Sequence, residues 1–251
     1  MTCRTIAVAN QKGGTAKTAT ALSLGVALAR TGSRVLLVDA DPQGDLTKSL
    51  GWRDPDSLET TLATHLSAAI AGSDDDPAGT LRHREGVDLM PSNIELAAME
   101  MAVFMAMSRE RMMGAWLAPI KPGYDYVIVD CAPTLGIIPI NALAAADSVL
   151  IPVSAEYLPA SGMTGLLKTV ARVRRQINPG LSVEGILVTL YDSRNNLARE
   201  VERAVRGQYG KAYRVFETVV PRAVSAAEAA AAGESVFAYD PDGKVAASFS
   251  R

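Results

Sequence analysis

Seven short apolar runs, rich in Val and Ile, recur along the chain between longer segments of helical period. That alternation limits the fold more than any other feature. The runs are TIAVAN (5–10), RVLLVD (34–39), VDLMPS (87–92), YVIVDCAP (126–133), SVLIPVSA (148–155), GILVTLYD (185–192) and FETVVPR (216–222). A strand that is apolar at nearly every position must be covered on both faces, which a parallel sheet flanked by helices provides. The spacing predicts helices over 17–31, 93–113, 137–146, 162–177, 195–207 and 225–232. The polar stretch 52–84, containing AGSDDDPAG, reads as loop around a short helix near 58–70. No repeat or linker divides the 251 residues, so one large α/β domain over 1–251 is expected. The 93–113 helix carries methionines at 99, 101, 105, 107, 112 and 113. Its expected role is adaptable core, with a partner-facing surface as the alternative.

Composition removes several function classes. Cys3 and Cys131 are the only cysteines, too few for a disulfide framework, and they point to a reducing cytosol. His65 and His83 are the only histidines, which disfavours a histidine-built metal site or triad. Thr2-Cys3-Arg4 leads straight into a strand, so no signal peptide is expected, and no apolar run reaches the roughly 18 residues of a membrane span. Charge is uneven. Residues 151–222 hold eleven Lys/Arg against six Asp/Glu, whereas 1–150 hold twelve against seventeen. A basic region inside an acidic chain suggests one face for a polyanion, or two ordinary solvated helices.

The stretch NQKGGTAKTAT (10–20) lies between the first strand and the first helix. Backbone N–H groups and the positive end of a helix converge on an anion there. Gly13 and Gly14 give a permissive backbone, Lys17 a point charge for phosphates, and Thr18 a hydroxyl for Mg²⁺. The general pattern G-x-x-x-x-G-K-[ST] is missed at Gln11 and Ala16. Three features restore the signal: the second lysine Lys12, the strand end VDADPQGD (38–45) with Asp39 and Asp41, and YDYVIVDCAPTLG (124–136) with Asp130. Carboxylates at strand ends beside a phosphate loop suit Mg²⁺ and its waters, or an attacking water.

The combination K-G-G-x-x-K-[ST], D-x-D-P-Q-G and D-x-x-P-[ST]-L-G resembles the deviant Walker A ATPases, specifically the ParA partition proteins. The likeness continues through VLIPVSAEYLPASGMTGLL, LVTLYDSRNNLAREV, TVVPRAVSAAEA and VFAYDP. It spans residues 4 to 241 and implies a P-loop NTPase fold, a mostly parallel twisted sheet with helices on both faces. Ala16 and Ala19 depart from the usual form, which has glycine and threonine there. If residue 16 needs a left-handed backbone, alanine costs about 1–2 kcal/mol, with weaker binding or slower turnover expected. Cys131 is expected to be a small core residue; a cluster-holding pair, as in nitrogenase iron protein, is lacking.

The resemblance implies two subunits closing face to face around two ATP molecules with Mg²⁺. Lys12 would reach the partner's nucleotide, Lys17 would hold the β/γ-phosphates, and Gly13, Gly14, Thr15, Ala16, Thr18 and Ala19 would complete the loop. Thr18 would ligate Mg²⁺ directly, Asp39 and Asp130 through water, while Asp41 orients the hydrolytic water. Pro221 and Arg222 match the segment lining adenine and ribose. Two arginine stripes would grip a phosphate backbone without reading bases. One is Arg199, Arg203 and Arg206, opposite Leu197, Val201, Ala204 and Val205. The other is Lys168, Arg172 and Arg175, opposite Leu166, Val170, Val173 and Ile177. Arg194 matches a DNA-contacting position of the family, whereas Ser225 replaces an arginine used there. The implied partners are a second copy when ATP is bound, non-specific double-stranded DNA and a ParB-like adaptor, in a cytoplasmic, nucleoid-associated setting without membrane. Past YDP no amphipathic closing helix is expected. The alternatives are a MinD-like positioning ATPase, a DNA-binding regulatory module impaired in turnover, and a metabolic enzyme of similar fold.

Overall fold

The computed structural model describes residues 3–72, 79–156 and 162–250. Part of AGSDDDPAG and part of EYLPAS fall outside the described residues. Seven strands form one sheet: β1 (Arg4–Val8), β2 (Val35–Ala40), β3 (Leu81–Arg82), β4 (Val87–Met90), β5 (Tyr126–Cys131), β6 (Ser148–Ser154) and β7 (Ser182–Thr189). Their order is β3-β4-β2-β5-β1-β6-β7, parallel throughout except for the antiparallel two-residue edge β3. The helices are α1 (Lys17–Arg30), α2 (Asp45–Ser49), α3 (Leu62–Ala71), α4 (Glu95–Met105), α5 (Met112–Ile120), α6 (Ile137–Ala145), α7 (Gly162–Gln176) and α8 (Asn196–Tyr209). Then follow α9 (Val224–Ala232), α10 (Val236–Tyr239) and α11 (Lys244–Phe249).

The strands separate two cores by their two-residue period. Leu36, Val38 and Ala40 of β2, with Val127 and Val129 of β5, pack under the helices α3 to α8. Val35, Leu37 and Ile128 face the other way, against α1, α2 and the C-terminal helices. Every residue of β2 and β6 is buried, as the apolar runs require. Pro152 sits inside β6 without breaking the sheet. Pairing with β1 ends at Leu150, and beyond it the Asn10 amide donates to the Pro152 carbonyl at 2.7 Å. The missing N–H therefore falls where no ladder partner exists.

Four expectations change. The run 216–222 is not a strand. It meets β7 and its exit at the bridges Ile186–Val215 and Tyr191–Pro221 and through the Val220 N–H, which donates to the Val188 carbonyl at 2.8 Å, and it bows away from the ladder between Phe216 and Val220. Gly185 makes room for it, since a Cβ there would meet the Phe216 ring at 2.5 Å.

The helix expected at 93–113 breaks at Ser108, whose φ is 53°. Buried Asn141 holds the break, donating to the Arg109 carbonyl at 2.6 Å and accepting from Met113 N–H at 3.1 Å. The break divides the methionines. Met112 and Met113 are core, whereas Met101, Met105 and Met107 are 69%, 77% and 93% exposed, so the core reading fails for those three.

The buried side of α8 is Ala198, Val201, Val205 and Tyr209; Leu197 and Ala204 face solvent instead. The end of the chain does fold: α11 buries Val245 and Ala246 in the second core.

Candidate nucleotide site

The order β2-β5-β1-β6 makes β1 the place where the winding reverses. The chain passes through α1 to β2 on one side, while β5 passes through α6 to β6 on the other. Ligands of open α/β sheets bind outside the carboxyl ends of the strands at such a point. The loop 9–16 occupies it. A Cβ on Gly13 or Gly14 would meet nothing within 4 Å, and Gly14 has φ 68°. The backbone there is open to a close anion.

Ala16 is the N-cap of α1 with φ 57° and ψ 36°, the left-handed conformation in question, and no side chain caps the helix. The first N–H groups of α1 are thus left for a ligand at its positive end. Thr15 is buried, and its carbonyl accepts the Thr189 hydroxyl at 3.1 Å, which ties the loop to the end of β7. Lys17 is 7% exposed and bends back, its Nζ donating to the Lys12 carbonyl at 3.3 Å. Burial lowers its pKa, and the carboxylates of Asp130 and Asp41 oppose that shift. Lys12 itself is exposed, outside the cleft lining.

Asp39 and Asp130 are direct partners across β2 and β5. Both are fully buried, yet they differ in how they are satisfied. Asp39 accepts the N–H and hydroxyl of Thr47 at 2.9 and 2.7 Å, and the N–H of Asp41 at 3.2 Å. Burial nevertheless pushes its pKa up to about 7. Among the described residues neither oxygen of Asp130 has a hydrogen-bond partner. Burial first, then the Asp39 charge, raises its pKa well above the carboxylate range; the nearby Thr18 hydroxyl and Lys17 ammonium act against that. An orphaned buried carboxylate beside a phosphate loop fits a metal-bound water, which would supply its missing donors. Asp41 lines the cleft and also accepts the Gln43 N–H at 3.0 Å, so it braces its own turn.

The cleft over the loop has a volume of about 550 Å³. It takes in the whole run Gly13–Thr20, with Thr18 and Ala19 on its wall, and Pro221. Arg222 is elsewhere, ion-paired with Glu156. Residues not singled out from the sequence complete the far wall: Leu190, Val220, Ala226, Ala230, Val245 and Phe249. Leu190 has φ 52°, a backbone state without any sequence signal in a non-glycine residue. The alanines of α9 are the trace that was readable, a helix kept smooth on the side facing the cleft.

The basic residues divide into free and engaged. Lys168, Arg172 and Arg175 are exposed on α7 with no partner among the described residues. Arg199 and Arg203 are exposed on α8 but engaged, Arg199 donating to the Ser193 carbonyl at 3.1 Å and to Asn196 Oδ1, and Arg203 to the Arg199 carbonyl at 3.3 Å. Arg206 is bound to Glu202 and to the carbonyls of Val215, Phe216 and Glu217, so it clamps the bowed segment. Arg194 forms a two-pronged pair with Asp192 at 3.0 and 2.9 Å, which holds the Asp192 pKa at about 2.

A family model described as an AAA domain, AAA_31, matches residues 3–183. Sporulation initiation inhibitor protein Soj of Bacillus subtilis is 42% identical, over 94% of this chain and 91% of its own length. Chromosome partitioning protein ParA of Caulobacter vibrioides is 38% identical, over 94% of this chain and 87% of its own. A solved structure named cobyrinic acid a,c-diamide synthase, from Mycobacterium smegmatis with ADP and magnesium bound, is 38% identical. It superposes with a TM-score of 0.85 over 99% of this chain and 91% of that one. ATP and Mg²⁺ are accordingly the cofactors of the cleft. Together with the loop, the paired aspartates and the switch-point geometry, these likenesses establish that the chain belongs to the ParA-type ATPases of the ParA/MinD superfamily.

Proposed function

We propose that this ATPase partitions DNA: an ATP-bound dimer holds duplex DNA non-specifically, and a ParB-like partner triggers hydrolysis and release. The observation that carries the reading is the outer face of α7. Lys168, Arg172 and Arg175 are exposed there with no ion pair or hydrogen bond among the described residues. A solvated face would gain from interspersed acids; a row of free cations suits a phosphate backbone. The same helix begins against the phosphate loop, where a Cβ on Gly162 would lie 3.6 Å from the Lys12 Cβ.

In this reading Lys17 and the N–H groups of 13–18 hold the phosphates, and Lys12 reaches the nucleotide of the partner subunit. Mg²⁺ when bound neutralises charge between the phosphates. Thr18 and Asp130 would hold it, with Asp39 buttressing the arrangement through Thr47 and Asp41. Asp41 would orient the attacking water, and Pro221 would pack on the base. The setting would be the cytoplasm and its nucleoid.

The test is a gel-shift titration on an arbitrary duplex with ADP or ATP plus Mg²⁺, and Lys17→Ala as control. Binding that needs ATP and disappears in the variant is the expected result. Equal binding in every state would replace this reading with an ungated DNA-binding module. A MinD-like reading would instead require ATP-dependent sedimentation with vesicles.

A further inference from the structure

A groove of about 800 Å³ runs between α4 and α7, which both pack on α6. It is larger than the nucleotide cleft and shares no lining residue with it. Ile137, Ile140, Val173 and Ile177 form its floor, while Met101, Phe104 and Leu135 stand exposed along its edges. Met101, Phe104 and Met105 follow one another at i, i+3 and i+4, so the apolar face of α4 continues past the groove towards Met107. Five large apolar side chains exposed on and beside one groove mark a contact surface, and methionine adapts to the shape laid against it.

Four charged side chains line the groove among the described residues, and three are engaged. Glu100 accepts the Ile137 N–H at 3.1 Å and so closes the start of α6, whose N-cap Gly136 has no side chain to do it. Arg109 donates to Glu110 at 3.0 Å and to the Phe104 carbonyl at 3.2 Å, and its guanidinium lies over the Phe104 ring, 4.6 Å from the centroid. Arg172, on the α7 bank, has no partner among the described residues. Lys168 and Arg175 continue that bank at i−4 and i+3, a row about 10 Å long.

We propose that the groove takes an amphipathic helix of a partner protein, apolar side down, with carboxylates along the flank that meets Arg172. The helix follows from backbone chemistry. The banks and floor are supplied by α4, α6 and α7, so the groove offers helices rather than a strand edge. An extended peptide on such a floor would leave its N–H and C=O groups unpaired. A helix satisfies them internally and lays apolar anchors at i, i+3, i+4 and i+7 into the trough. Lining residues run over 97–104 and 169–177, about 10–12 Å, which is the length of two turns. The acidic flank follows from the one open charge, a rim cation whose neighbours in the row are cations too.

A regulatory consequence rests on the partition reading above. Lys168, Arg172 and Arg175 are the cations given there to the phosphate backbone. A helix whose carboxylates lie over Arg172 occupies the same row, so duplex and helix exclude each other. A partner that docks here displaces DNA directly, in addition to the release that hydrolysis brings.

The test is fluorescence anisotropy with two labelled model peptides of about 16 residues, long enough to hold a helix. Both carry leucines at i, i+3, i+4 and i+7; one has glutamates on its flanks and the other lysines. We expect the acidic peptide to bind and the basic one to bind about tenfold more weakly or worse. Met101→Gln/Phe104→Gln should weaken the acidic peptide about tenfold or more, with an unchanged urea midpoint to certify the fold. Arg172→Glu should reverse the preference between the peptides, which a merely damaged groove would not do. With ATP and Mg²⁺, unlabelled acidic peptide should displace a labelled arbitrary duplex from wild type but not from Met101→Gln/Phe104→Gln.

No binding of the acidic peptide, or equal binding of both, would overturn the proposal. Peptide bound with the duplex retained would overturn the exclusion alone. Self-association of wild type that is lost in Met101→Gln/Phe104→Gln, with no peptide bound, would give the groove to a second copy. Sedimentation with phosphatidylglycerol vesicles, lost in the same variant, would give it to a lipid surface. If wild type binds no duplex in any nucleotide state, the partition reading fails and the exclusion with it, while the peptide titration still decides the groove.

Discussion

Thr47 donates twice to one oxygen of Asp39: its N–H at 2.9 Å and its hydroxyl at 2.7 Å both reach Oδ2. The same hydroxyl accepts the Ser92 N–H at 3.1 Å, so one side chain joins the ends of β2 and β4 to α2. All three groups are buried, which makes the network costly to break. Thr47→Val keeps the shape and strips the hydroxyl from both partners. The expected loss is about 1–3 kcal/mol, read as a lower urea midpoint at unchanged m-value. Thr47→Ser should recover most of it. A valine variant as stable as wild type would show that the network contributes nothing net.

Ala16 carries a left-handed backbone at φ 57° in the free protein. Relief by glycine is worth about 1–2 kcal/mol, offset by about 0.5–1 kcal/mol of extra chain entropy in the unfolded state. Ala16→Gly should therefore raise the melting temperature by about 1–4 °C and also raise ATP affinity or turnover. A melting temperature that stays put or falls would mean that the strain is not released at this position.

Much of this architecture was legible beforehand because strand burial writes itself into composition. Six of the seven expected strands exist, and the phosphate loop, Asp39 and Asp130 converge as their motifs require. What escaped depended on distant partners. The break at Ser108 is dictated by Asn141, over thirty residues later, so the local pattern from 93 to 113 read as one helix. The run 216–222 had the composition of a strand, yet isolated bridges and one further hydrogen bond, not a ladder, connect it to β7. Arg206 matched a surface stripe by spacing, but backbone carbonyls of that same bowed segment claim it. The far wall of the nucleotide cleft is small and apolar, and Leu190 or Phe249 carries no motif that distinguishes wall from core.

The pair between Asp192 and Arg194 bears on the proposed DNA binding. Arg194 is 89% exposed at its side chain, but both prongs of its guanidinium are occupied. Asp192→Asn removes the competing charge. The pair is exposed and weak, so freeing the arginine should tighten duplex binding by about two- to fivefold. Arg194→Ala in the same background should abolish the gain. Equal affinity of Asp192→Asn and wild type would take Arg194 out of the interface.

Asp125 gives a dependence on pH. The Arg34 side chain donates to it at 3.0 and 3.2 Å and the Arg34 N–H at 2.8 Å, which holds its pKa at about 2. The folded value lies below the unfolded value near 3.8, so the contribution to stability is present above pH 4 and is lost as pH falls towards 2. Asp125→Asn should melt lower than wild type at pH 6, with the difference shrinking through that acid window. A difference that is constant from pH 6 to pH 2.5 would assign the effect to something other than ionisation. The pair is exposed, so salt should reduce it.

Gly165 of α7 lies against Gln11 of the phosphate loop. A Cβ at 165 would stand 2.6 and 2.8 Å from the two amide heteroatoms of Gln11, whose Nε2 is buried without a partner among the described residues. Gly165→Ala improves helix propensity by about 1 kcal/mol, so global stability should hold within that margin. The added methyl must nevertheless push Gln11, and with it the backbone that presents Lys12 and Gly13. ATP affinity should fall severalfold while the melting temperature changes little. Gln11→Ala empties the contested space. In the double variant Gln11→Ala/Gly165→Ala the penalty should therefore be smaller than in Gly165→Ala alone, a coupling that a mutant cycle measures directly. Strict additivity of the two substitutions would refute the contact as the route between α7 and the loop. Coupling would identify the path by which the basic helix α7 and the nucleotide loop sense each other: two glycines, Gly162 and Gly165, that leave room for Gln11 and Lys12.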